Sequence, residues 1–175
     1  KGIATVIARL GLTCAQLAPV AAMFICCPAW GQSDKLIDSV ERHLGSYPND
    51  RKAAALYTLA TYYRRSDPAK FSGVRAQSRV FLKDEDPAVR TYAEMIEGVY
   101  FEARGSFDSA EYQFIRAKES ARDAKDDKIV AIACASLGRM LIAAGKAGQA
   151  VSNLMEGLKL IDKKPDIDLG IRLRV

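Results

Sequence analysis

Residues 98–117 read GVYFEARGSFDSAEYQFIRA, and residues 138–157 read GRMLIAAGKAGQAVSNLMEG. Laid over each other, Gly98 meets Gly138, Phe101 meets Leu141 and Gly105 meets Gly145. Further on, Ala110 meets Ala150, Phe114 meets Leu154 and Ala117 meets Gly157. Small residues fall on small and large apolar residues on large, at a constant offset of 40 (Gly98 to Gly138). A fixed period in this range marks helical units that stack on one another.

The spacing inside each unit has a physical reading. Gly98 and Phe101 are three apart and share one face of a first helix. Gly105 ends that helix, where a residue that takes a left-handed backbone is favoured. Ala110, Phe114 and Ala117 recur at intervals of four and three, the seam of a second helix. Gly98 and Ala110 let the two helices approach, and Phe101 and Phe114 fill the space beside them. So short a pair cannot bury its apolar faces alone, and neighbouring pairs must stack.

The order of small, large, Gly, Ala, large and Ala across Gly98, Phe101, Gly105, Ala110, Phe114 and Ala117 resembles the tetratricopeptide repeat. In that frame one repeat starts at Thr91 and the next at Ala131. Leu137 fits the family's leucine, whereas Glu97 departs from it. An upstream copy carries Leu59, Ala60 and Tyr63, with Asp67-Pro68 standing in for the turn glycine. Its second helix, through Phe71, Ala76 and Val80, has Ser72 where the family has alanine. The spacing exceeds the family's roughly 34 residues and is similar to longer-helixed bacterial regulatory members. The resemblance implies an all-α fold, a right-handed superhelical array of antiparallel helix pairs. Three repeats are expected over 51–167, after a leading helix (34–45) and turn within 32–50, and 168–175 reads as the start of a fourth. Asp84 to Pro87 and Asp126-Asp127 are the expected helix caps.

Residues 1–31 contain no Asp or Glu and only Lys1 and Arg9 as charges. Leu10 to Cys27 is mostly apolar, and Ala29-Trp30-Gly31 offers small residues for cleavage before Gln32. Positive start, apolar middle and small exit make a secretory signal. An uncleaved membrane anchor is the alternative, opposed by Thr13, Gln16 and Pro19. Phe24 and Ile25 before the cysteine pair argue against a lipoprotein. Beyond this segment the chain keeps +3 of its formal +5, since Lys1 and Arg9 leave with it. Charges of both signs are interspersed, which speaks against nucleic acid as partner. Cys14, Cys26 and Cys27 fall in the signal and only Cys134 remains, so no disulfide is expected. With one His, no metal site is expected either.

Candidate catalytic groups reduce to ordinary roles. Gly145-Lys146-Ala147-Gly148-Gln149 lacks the first glycine and hydroxyl of a phosphate loop and reads as a turn. His43 reads as solvated, Glu94 and Glu97 as a helix surface, Lys118 to Lys128 as a wet helix end, and Cys134 as a buried thiol. No catalytic residue and no cofactor is expected. The resemblance implies a concave groove lined by Tyr57, Thr61 and Arg64, then Tyr92, Met95, Val99 and Glu102, then Ala135, Arg139 and Ile142. Tyr57 and Thr61 stand where chaperone-binding members carry Lys and Asn. The expected partner is a protein or peptide, with membrane association through the N-terminal segment or one beyond Val175. The chain is similar to the exported, periplasm-facing sensor regions of bacterial signalling proteins that lead to a histidine kinase or diguanylate cyclase. A free-standing exported adaptor is the alternative expectation.

Overall fold

The computed structural model describes residues 29–162, which form seven α-helices, two short 3-10 segments and no strand. This span is all-α, as expected. The secretory signal or anchor expected in 1–31 falls almost wholly outside the described residues, and the expected start of a fourth repeat at 168–175 lies outside them altogether. The chain divides into two compact units, residues 1–41 and 42–175. Most of what is described of the first is α1, Ala29–His43, followed by a 3-10 turn, Leu44–Ser46. The helix thus opens before Gln32 and closes two residues short of its expected end at 45. Arg42 and His43 occupy its last turn, where positive charge complements the helix dipole.

The second unit contains α2 (Asn49–Ser66), α3 (Pro68–Ser78), a 3-10 segment (Arg79–Lys83), α4 (Pro87–Ala103), α5 (Phe107–Asp123), α6 (Asp127–Ala143) and α7 (Ala147–Asp162). Their starts follow from local chemistry. Asp67, Asp86 and Asp126 are N-caps whose carboxylates accept from Lys70 N (2.9 Å), Ala88 N (2.8 Å) and Lys128 N (2.9 Å). Pro68 and Pro87 sit in the first turns, where a missing N–H costs nothing. The ends are as specific. Gly105 (φ +72°) donates to Glu102 O while Ser106 N donates to Phe101 O. Gly145 (φ +76°) and Lys146 repeat the same pair of bonds to Ile142 O and Leu141 O. Both are six-to-one, five-to-two turns that satisfy the last carbonyls of a helix and reverse the chain.

Contacts define how the helices run. Gly98 faces Phe114, and Ser120 Oγ donates to Glu94 Oε2 at 2.8 Å, so α4 and α5 are antiparallel. Gly138 faces Leu154 and Gly157 faces Cys134, which gives α6 and α7 the same arrangement. A Cβ on Gly98 would lie 2.9 Å from the Phe114 ring, and one on Gly138 would lie 2.7 Å from Leu154 Cγ. Both glycines are therefore required by close helix approach. Between pairs, α2 packs on α4, α4 contacts α6, and α5 packs on α6. The core runs through Leu56, Leu59, Met95, Ile96, Phe114, Met140 and Leu141. In α4 every residue from Ala93 to Val99 is buried, as befits a helix enclosed by neighbours.

Three expectations need correction. In α3 the buried residues are Phe71, Val74 and Ser78, not Ala76 or Val80, and Val80 is 72% exposed. The α-helix ends at Ser78, and the tighter 3-10 turn that follows rotates Phe81 inward instead. Glu94 and Glu97 are buried rather than on a helix surface, because α3 and α5 cover both sides of α4. Each is neutralised where it lies: Glu94 by Arg116 at 2.9 Å and Glu97 by Arg75 at 2.7 Å. Finally, Lys118 is not a wet helix end. Its ammonium bonds Asn153 Oδ1 at 2.8 Å and Glu156 Oε2 at 3.0 Å, joining α5 to α7.

Candidate functional site: the face of the first helices

The first helices α2, α4 and α6 each contribute side chains to one connected surface. Near its middle the phenol of Tyr57 (α2) and Ser136 Oγ (α6) share a hydrogen bond of 2.6 Å. The Tyr57 ring also lies 6.1 Å from that of Tyr92 (α4), tilted by 44°. Toward the helix C-termini, Glu102 (α4) is held from both sides. Arg64 Nη1 (α2) donates to its Oε1 at 3.0 Å. Arg139 Nη1 (α6) donates to Oε1 at 2.6 Å and Oε2 at 2.9 Å. Arg139 Nη2 is buried and finds no acceptor.

Burial sets the titration of this surface. It pushes the Tyr57 phenol above its ordinary value, opposed by the Ser136 bond and by the charges of Arg139 and Arg64. Tyr92 is pushed up to about 12, first by burial and then by the Asp126 carboxylate and Tyr57. Arg64 is lowered, first by burial and then by the neighbouring Arg139. Its side chain is 17% accessible and that of Glu102 only 9%.

The structure thus brings together Tyr57, Arg64, Tyr92, Glu102 and Arg139 of the expected groove. Met95 and Val99 have no accessible surface and pack in the core. Thr61 is partly buried and bonds its own helix at Thr58 O, Ala135 is partly buried, and Ile142 is 58% exposed. Ser136 escaped the sequence reading. Its signal was its place three residues before Arg139, which puts both on one face of α6.

A concavity of about 390 Å³ lies among α5, α6 and α7, lined by Ile115, Lys118, Arg122, Leu137, Leu141 and Asn153 among others. Its cations are already matched, since Lys118 and Arg122 both pair with Glu156. Cys134 is buried, and burial pushes its thiol up to about 11, so it is a poor nucleophile. Among the described residues no group of three His, Cys, Asp or Glu converges, and no helix is long and apolar enough to cross a membrane. No protein-family model, curated protein or solved structure matches the chain.

Proposed function

We propose that residues 49–162 are a tetratricopeptide-type repeat segment, part of a right-handed superhelical array, that binds a protein or peptide on the face of α2, α4 and α6. The observation that carries this reading is the run of Tyr57, Tyr92, Arg64, Glu102 and Arg139 across three helices distant in sequence. Tyrosine and arginine are the side chains that dominate binding hot spots. The repeat part is supported by features that recur at the same offset of 40: N-caps at Asp86 and Asp126, and turn glycines at Gly105 and Gly145. The pairs Gly98–Phe114 and Gly138–Leu154 recur at that offset too.

Random peptides displayed on phage and selected on the purified chain test the binding role. Selected peptides are expected to shift the amide resonances of Thr61, Tyr92, Arg139 and Ile142. Selections that perturb only the outer surfaces of α5 and α7 contradict it. The apolar, acid-free residues 1–31 support placing the segment in the exported sensor or scaffold part of a larger signalling protein. Reading the intact gene past residue 175 checks that placement. A membrane helix leading to a kinase or cyclase domain is the expected result, and a stop after further repeats assigns a free-standing adaptor instead.

A further inference from the structure

We infer that the first-helix face receives an acidic segment of its partner, with an Asp or Glu side chain docking at Arg64 and Arg139. This rests on the binding role proposed for that face and names the chemistry of what it binds. The reason is a missing charge. Arg64 and Arg139 share one carboxylate, Glu102, whose two oxygens already serve both guanidiniums, and Arg65 adds a further positive charge acting on Arg64. Each of those two guanidiniums reaches Glu102 through Nη1 only, and Arg139 Nη2 has no acceptor. Two cations sharing one anion in a partly buried place are screened far less than surface charges. The Arg139 side chain is 38% accessible, so a ligand carboxylate docking there supplies the missing charge through a charge-assisted hydrogen bond.

The surroundings fix the position further. The Tyr57 and Tyr92 rings and the exposed Ile142 offer apolar contact to residues flanking the acid. Asp126, whose charge acts on Tyr92, disfavours an acid at that end and directs it toward Arg64 and Arg139. The cleft among α5, α6 and α7 has no comparable excess, since Glu156 pairs with both of its cations.

The test uses the full chain and a capped peptide, acetyl-Ser-Gly-Glu-Ile-Glu-Ile-Glu-Gly-Ser-amide, beside its counterpart with Gln for each Glu. Amide capping removes the terminal carboxylate, so only side-chain acids are read. The Glu peptide is expected to shift the arginine side-chain N–H resonances of Arg64 and Arg139, and to bind at least about tenfold more tightly than the Gln peptide. Arg139→Met weakens the Glu peptide by a similar factor. Glu102→Gln, which removes the competing carboxylate, strengthens it, an outcome a purely structural ladder does not give. Circular dichroism of both variants confirms that they are folded. The inference is overturned if the two peptides bind equally, if neither moves the Arg64 and Arg139 signals, or if Glu102→Gln weakens binding. Equal binding at this face leaves the binding role standing. A failure of every display-selected peptide to map there removes that role itself.

Discussion

Gly105 and Gly145 hold left-handed backbone at the ends of α4 and α6, and Lys125 does the same after α5 at φ +54° without being glycine. A side chain in that region costs about 1–2 kcal/mol. Gly105→Ala is therefore expected to lose about 1 kcal/mol of stability, and Lys125→Gly to gain a few tenths of that or more after its added chain entropy. Urea midpoints of the two variants check both signs. Tyr92 gives a prediction in pH. Its folded value of about 12 lies above the ordinary 10.0, so the folded state holds its proton longer than the unfolded chain. The stabilisation is complete below pH 10 and is lost as pH rises toward 12, by roughly 2–3 kcal/mol in total. In Tyr92→Phe the alkaline fall of the urea midpoint should be shallower. An unchanged slope removes the buried phenol as its cause.

At the scale of the helix pair, stability depends on how closely two helices meet. Gly98→Ala raises helix propensity by about 1 kcal/mol but drives a methyl into the fully buried Phe114 ring. Overpacking of this kind costs about 1–3 kcal/mol, so a net loss is expected, and Phe114→Leu in the same chain should recover part of it. Additive losses in a double-mutant cycle would show that the two positions do not meet. The close approach at Gly98 was legible in sequence, because Gly98, Ala110 and Phe114 recur as Gly138, Ala150 and Leu154 at one offset, although the direct meeting of Gly98 with the Phe114 ring was not. The caps were legible too, since Asp before Pro or a second acid has few other uses. The face of α3 was not, because an 11-residue helix running into a 3-10 turn changes period midway, and a single period cannot predict Phe81 inward and Val80 outward. Glu94 and Glu97 misled for a different reason. Charge argues for a surface, yet they stand within Ala93 to Val99, and their partners Arg116 and Arg75 come from other helices. Of the candidate face, the residue types were readable, whereas Met95 and Val99 turn into the core because α4 is covered on several sides.

Across the whole second unit, the Arg64–Glu102–Arg139 group joins three helices separated by 38 and 37 residues along the chain. Exchanging the central carboxylate for an amide keeps one acceptor oxygen but removes the negative charge that two partly buried guanidiniums share, so Glu102→Gln should cost about 1–3 kcal/mol. That loss should persist in molar salt, whereas any effect of Glu156→Gln on the more exposed Arg122 pair should fade. The claim on which binding and stability both rest is that α2, α4 and α6 lie side by side and build one face. Proton–proton contacts from the Tyr57 ring in the selectively labelled chain test it most directly. Cross-peaks to the Tyr92 ring and to the β-protons of Ser136, 79 residues away, are the expected result. A Tyr57 ring that meets only residues of α2 and α3 would contradict it.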